Sequence, residues 1–390
     1  MKKSVTKTRK GKIVYEKTQT GSVLNEPLFV YNKTLIINKS KLLEVLLKLK
    51  AEESLLSLRN KLLELRHQLT YIKSDTIGLL NIDSINGDTI KLNQDYLLKE
   101  VNQISESQTI ERAKYYVERF TKGISEIKTN KINDINLNRW KEYDDIHTDS
   151  LWILDKRDSS GVHTAGYWGN FIPQIPNQML RRYTKKNEWV LDTFVGSGTT
   201  LIESQRLGRN GIGIELQENV AEKAKKLITS EQNKFNTTNE IIVGDSASLD
   251  FKNVIHQFGK KSVQMVIMHP PYFDIIKFSN DSRDLSNASS VDSFILLMNK
   301  VVENATSVLD KGRYLVVVIG DKYSKGDWIP LGFLVMNEIM KKNFSLKSVI
   351  IKNFEETAGK RNQKELWRYR ALVGGFYIFK HEYILLFKKK

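Results

Sequence analysis

The residues best suited to chemistry are His269-Pro-Pro-Tyr272, which close the apolar run Met265–Met268. Two successive prolines fix a rigid corner that cannot continue as a helix, and they offer carbonyls without N–H donors. Such a corner can accept the protons of an amino group while Tyr272 stacks on a planar ring. A neutral imidazole at His269 can accept one such hydrogen bond, and it loses that ability once protonated. Upstream, Glu215 ends the run Gly211–Glu215, where a carboxylate can accept both hydroxyls of a ribose. Asp245, in Gly244-Asp-Ser246, is placed to accept an adenine amino proton. Between Asp192 and Thr200 the chain reads Asp-Thr-Phe-Val-Gly-Ser-Gly-Thr-Thr, with Phe194, Gly196, Ser197, Gly198 and Thr199 inside it. Glycines there let the backbone approach a ligand closely. The third glycine of a dinucleotide fingerprint is missing. Ribose and adenine handles without a strong phosphate site point to an adenosine ligand bearing no phosphate.

These residues need a scaffold that carries them to one rim. From Leu151 onward, β-type runs at Val190–Leu191, Gly211–Glu215, Glu240–Val243, Met265–Met268, Tyr314–Ile319 and Tyr383–Phe387 alternate with helical segments. That alternation predicts an α/β fold with a doubly wound, mostly parallel sheet. The last stretch, Phe376–Phe387, reads as a final strand inserted antiparallel. The chain before it has a different texture. Lys39–Lys73 is predicted helical, with leucines in two registers that do not merge into one heptad frame, so a helical hairpin or bundle element is expected. Packing of these leucines within the chain is favoured over a homodimer. Asn81–Lys91 is turn-rich and Gln94–Lys128 is helical again. Two domains follow: a basic tail and mainly α-helical module over 1–145, for DNA recognition or oligomerisation, and a catalytic domain over 146–390.

At this point the resemblance is specific. Residues 160–275 resemble the Rossmann-like S-adenosylmethionine-dependent amino methyltransferases of DNA, which modify adenine N6 or cytosine N4. The first motif of that family is similar to Asp192–Gly198, the second to Glu215, the third to Gly244-Asp245-Ser246 and the catalytic fourth to His269-Pro-Pro-Tyr272. Its remaining cofactor motif resembles Tyr167–Pro176, which adds Asn170 and Phe171 as cofactor-binding positions. Its last strand is similar to His381–Lys388. The resemblance implies S-adenosylmethionine as cofactor, double-stranded DNA as partner, and His269, Pro270, Pro271 and Tyr272 as the catalytic set. The family opens the fourth motif with Asp, Asn or Ser, and His269 departs from that. The base is therefore undecided, with adenine favoured because that activity is common. An exocyclic amine is a poor nucleophile until its protons are accepted, and a duplex base must flip out to reach an enclosed pocket.

Composition narrows the alternatives. The 390 residues are 40% hydrophobic, enough for a sizeable core, and contain no cysteine. Disulfides, zinc–thiolate sites and a cysteine nucleophile for methylation at a ring carbon are excluded. The six histidines lack ligand spacing, so no metal site is expected. A formal charge of +16 favours a polyanionic partner, although a generally lysine-rich composition produces the same drift. No apolar run reaches the roughly 20 residues of a membrane span, and no secretory signal is apparent, so a cytoplasmic protein is expected. Lys360, Arg361, Arg368 and Arg370, interleaved with Trp367 and Tyr369, are candidate DNA contacts. A cognate restriction endonuclease is an expected partner within a restriction–modification system. The rival readings are an RNA or protein amino methyltransferase and a catalytically degenerate DNA-binding module.

Overall fold

The structure is a computed structural model that describes residues 34–71, 78–80, 88–164, 166, 169–324, 326–354 and 364–390. The chain divides into two compact units, Met1–Ile124 and Ser125–Lys390. The division falls earlier than the expected 145/146 boundary. Polar residues just after Ile124 account for this, because their side chains are spent on the second unit. Asn133 Nδ2 donates to the Arg182 carbonyl at 2.6 Å, and Asp134 Oδ2 accepts from the Lys186 N–H at 2.7 Å.

Among its described residues the first unit pairs two short strands with four helices. Strands β1 (Thr34–Asn38) and β2 (Thr89–Asn93) are antiparallel. Each ends in an asparagine that caps the helix after it. Asn38 Oδ1 accepts from the Lys41 N–H at 3.0 Å, starting α1 (Lys39–Ala51). Asn93 Oδ1 accepts from the Asp95 N–H at 2.8 Å, starting α3 (Gln94–Ser105). Between them α2 (Leu55–Thr70) restarts at Ser54, whose side chain accepts from the Ser57 N–H. That break explains the two leucine registers, one per helix. Leu42, Leu46 and Leu49 of α1 and Leu58, Leu62, Leu65 and Leu69 of α2 share one core with α4 (Ile110–Ser125). These leucines are therefore buried within the unit. Leu56, expected on the first stripe, is 71% exposed because it lies on the outer face of α2. The strand pair itself was not foreseen from the sequence.

The second unit is built on an eight-stranded sheet. Its strands are β3 (Leu151–Trp152), β4 (Trp189–Asp192), β5 (Asn210–Glu215), β6 (Asn239–Val243), β7 (Val263–Met268), β8 (Leu309–Ile319), β11 (Phe344–Asn353) and β12 (His381–Lys389). They lie in the order β3-β11-β12-β8-β7-β4-β5-β6. Only β12 runs antiparallel, between β11 and β8. Helices α5 (Gln174–Tyr183), α6 (Thr199–Leu207), α7 (Glu218–Ser230), α8 (Phe251–Gln257), α9 (Val291–Ser307) and α10 (Leu331–Met340) alternate with the strands. A hairpin, β9 (Lys322–Ser324) and β10 (Asp327–Ile329), and α11 (Lys364–Gly374) complete the described elements. The central strands read as unbroken apolar runs because both faces are covered. Leu191, Val266, Met268, Leu315 and Val317 point to the core packed by α9, whereas Val190, Met265, Ile267, Val316 and Val318 point to the core packed by α5. The predicted strands are present, except that the last begins at His381 and leaves Phe376–Lys380 outside it. The unpredicted β11 has polar residues at many positions, which hid it.

Candidate active site

The chain runs outward from β4 through β5 to β6, then returns to place β7 on the other side of β4. The reversal between β4 and β7 is where open α/β sheets bind ligands, at the carboxyl ends of the strands. The glycine loop leaves β4 at this point and the His269 corner leaves β7 beside it.

The glycine loop is held by hydrogen bonds within itself and to the segments beside it. Asp192 Oδ1 accepts from the Phe194 N–H at 2.9 Å. Gly196, at φ 50°, donates its N–H to Glu215 Oε2 at 3.0 Å, and Gln217 N–H donates to Glu215 Oε1 at 3.0 Å. Gly198 takes φ 83° to start α6, a conformation that favours glycine. Thr199 Oγ1 donates to Asn170 Oδ1 at 2.7 Å, and Asn170 Nδ2 donates to the Thr164 carbonyl at 3.0 Å. Thr199, Thr200 and Ser197 are buried, and Ser197 Oγ lies 3.4 Å from Thr199 Oγ1. Ser246 Oγ donates to the Thr193 carbonyl at 2.8 Å, tying the turn after β6 to the loop after β4. Burial pushes the Asp192 and Glu215 carboxyls up to about 6 each, against the backbone N–H groups that hold them. Each Glu215 oxygen accepts one N–H and keeps further lone-pair capacity, which suits the vicinal diol of a ribose. The residues present thus fit an adenosine-type cofactor.

Asp245 is used differently. Its Oδ1 accepts from the Ala247 N–H at 2.9 Å and its Oδ2 from Ser248 Oγ at 2.9 Å, so both oxygens cap its own turn. Phe171 is 6% exposed, and its ring centroid lies 4.7 Å from that of His269. It thereby links the upstream segment to the corner after β7. Tyr167 and Trp168 of that segment lie outside the described residues.

The corner after β7 is organised across the sheet. Tyr272 Oη donates to Glu382 Oε2 on β12 at 2.8 Å and lies 3.0 Å from His269 Nε2. The second Glu382 oxygen accepts from Lys352 Nζ of β11 at 3.0 Å. Gly320, directly after β8, makes this reach feasible. A Cβ there would stand 2.9 Å from Tyr272 Cε2. Burial lowers the His269 pKa to about 4, with Glu382 opposing and Lys352 reinforcing the shift. Burial also raises the Tyr272 hydroxyl well above its ordinary value, as does Glu382. Glu382, Lys352 and Gly320 were not picked out from the sequence. A lone acid inside the apolar strand His381–Phe387 was the available signal, since a buried charge requires a partner.

The remaining candidates lie outside this cluster. Asp321 accepts from Trp328 Nε1 at 2.9 Å, Tyr383 Oη at 3.0 Å and the Gly332 N–H at 2.9 Å, which anchors the β9–β10 hairpin and the start of α10. Asp274 pairs with Lys322, and Lys277 is exposed. The segment after it is knit internally: Asn287 Nδ2 donates to the Ser279 and Asp281 carbonyls. Arg368 and Arg370 are exposed on α11, and the Arg370 guanidinium sits 5.3 Å from the Trp367 ring centroid. Lys360 and Arg361 lie outside the described residues. Among the described residues no cluster could hold a metal ion, and no helix is long and apolar enough to cross a membrane.

Comparison with known families decides the class. The profile of the N6/N4 methylases, described as DNA methylase, matches residues 3–226 and 263–390. The chain belongs to the N6/N4 DNA methylase family. The family match begins at residue 3, so the helical unit, whose sequence alone resembles no named module, lies inside the family's span. The chain is 30% identical over 113 residues to the type II methyltransferase M.MjaII of Methanocaldococcus jannaschii, covering 26% of this chain and 21% of that protein. It is 31% identical over 119 residues to the type II methyltransferase M2.DpnII of Streptococcus pneumoniae, covering 29% of this chain and 44% of that protein. With the type II methyltransferase M2.LlaDCHI of Lactococcus lactis it is 44% identical over 62 residues, covering 15% and 23%. The chain thus spans less than half the length of these curated relatives.

Proposed function

We propose that this N6/N4 DNA methylase transfers a methyl group from S-adenosylmethionine to the exocyclic amino group of a base flipped out of double-stranded DNA, with adenine N6 favoured over cytosine N4. The observation that supports the reading is the juxtaposition at the strand-order reversal: the glycine loop after β4, which bonds Glu215 through Gly196, beside the corner after β7, where His269 and the Pro270 carbonyl offer acceptors. The bound cofactor supplies a methyl group already activated by its sulfonium. The chain's residues do the rest. Glu215 holds the ribose, and the glycine loop between Asp192 and Thr200 keeps the backbone close to the ligand. His269 and the Pro270 carbonyl accept hydrogen bonds from the amino group, which exposes the nitrogen lone pair for in-line attack. Tyr272 offers its ring to the flipped base. Arg368 and Arg370 of α11, together with the first unit, bind the duplex, and the relatives' type suggests a restriction–modification setting.

Incubation with a methyl-labelled donor and, separately, duplex DNA, ribosomal RNA, transfer RNA and protein tests this. Label in duplex DNA alone is expected, and modification-sensitive sequencing then names the base and its context. Label in RNA or protein with none in DNA overturns the proposal.

A further inference from the structure

We infer that Glu382 and Lys352 are positioning residues that lock the His269 ring in the tautomer whose Nδ1 accepts a hydrogen bond. The purpose assigned to that lock, holding a target amino group, rests on the function proposed above. The lock itself rests on proton counting. Lys352 and Glu382 face one another across the β11–β12 pairing, and their side chains are 8% and 10% exposed. A buried ion pair is costly to desolvate, and an aliphatic pair would join the two strands as well. The pair therefore calls for a role beyond strand pairing. One Glu382 oxygen is taken by Lys352 and the other by Tyr272. An ion-paired carboxylate has no proton to give, so the Tyr272 hydroxyl must donate. Its single proton is then spent, and its oxygen can meet His269 Nε2 only as an acceptor. Nε2 carries the hydrogen, and in the neutral ring Nδ1 carries the lone pair. Among the described residues Nδ1 has no hydrogen-bond partner, and Phe171 against the ring face fixes its plane.

The pairing with Lys352 completes the device. A bare carboxylate would draw a proton onto the imidazole and abolish the acceptor. Glu382 raises the His269 pKa and Lys352 lowers it, so the pair orients the ring while leaving it neutral. These two are the charged groups that act on the ring, and Phe171 on its face is apolar. His269 thereby acquires the acceptor property that carboxylate or amide side chains have without help.

Long-range proton–nitrogen correlation spectra of the full chain with labelled histidine, at pH 7 and without DNA, read the tautomer directly; His269→Gln assigns the signal. A neutral ring protonated at Nε2 is expected. In Glu382→Gln the amide can donate to Tyr272 Oη, which releases the phenol to donate to Nε2. The signal should then move toward the Nδ1–H tautomer, and kcat should fall about a hundredfold while cofactor Kd holds. Lys352→Met should keep the tautomer and move the acid limb of kcat upward from about pH 4. Should Glu382→Gln fail to fold, Tyr272→Phe removes the acceptor and should leave mixed tautomers. An Nδ1–H ring or an imidazolium in the wild type overturns the inference, as does an unchanged tautomer in Glu382→Gln and Tyr272→Phe. The expected tautomer without methyl transfer to DNA would refute the proposed function and leave the lock standing.

Discussion

The two halves of the rim are built in different ways. The β4–β6 half is stitched by contacts nearer in sequence, from Asp192 with Phe194 and Asp245 with Ala247 to Ser246 with Thr193 over a separation of 53 residues. The β7–β12 half depends on contacts far apart, because Tyr272 meets Glu382 over a separation of 110 residues. In the first half the acids are buried and their ionisation is resisted. In the second the histidine is half-buried and its protonation is resisted. The proposed cofactor handle Glu215 and the proposed acceptor His269 therefore sit at the ends of β5 and β7, with β4 between them, each tuned by its own neighbours. The difference suggests a division of labour, with binding on one side and transfer on the other.

That division can be broken most forcefully at Glu215. Two hydrogen bonds to a charged acceptor contribute about 4 kcal/mol together. Glu215→Ala should weaken cofactor binding roughly a thousandfold by calorimetry. It should change kcat at saturating cofactor far less. Equal losses in both would erase the distinction between the halves.

The next effect concerns stability. The Asp192 pKa in the folded chain, about 6, lies above its ordinary 3.8. The folded state therefore resists ionisation, and the penalty is present above about pH 6 and gone below about pH 4. Asp192→Asn keeps the acceptor for the Phe194 N–H and removes the charge. Denaturant titration at pH 8 should show a gain of about 3 kcal/mol, on the scale of 1.4 kcal/mol per unit. The gain should vanish near pH 4. A loss at pH 8 would mean that the buried carboxylate is stabilised by its surroundings.

The pH profiles sharpen the same comparison. Glu215 must be ionised to accept ribose hydroxyls, so cofactor affinity should decline as pH falls through about 6. The acid limb of kcat set by His269 should lie lower, near pH 4. Coincident limbs would indicate that one group governs both. The smallest effect belongs to α11. Arg368→Ala with Arg370→Ala should weaken duplex binding a few-fold and reduce the salt slope by about 2. An unchanged slope would remove α11 from the DNA interface.

How much was legible follows the same division. The glycine loop and Glu215 could be read because strand, turn and acid fall within one short stretch, and glycines mark the turn. Both faces of the central strands are buried, so their apolar runs stood out. The Lys352–Glu382–Tyr272 chain could not be read, since β11 was itself hidden by polar residues and no local pattern pairs positions on three strands. Asp245 shows the limit of position alone. It sits at the expected strand end, and each of its oxygens already accepts one bond from its own turn, so its place on the strand does not by itself give its role. The leucines of α1 and α2 were legible as two stripes, but Ser54, which separates them, gained meaning only as a helix cap.

The most direct test of the account is a paired measurement on His269→Ala: cofactor Kd and single-turnover methyl transfer to duplex DNA. Cofactor affinity within a few-fold of wild type, with transfer reduced at least about a hundredfold, is the predicted result. Transfer near the wild-type rate would contradict it, because the methyl acceptor would then be held by something other than the corner after β7.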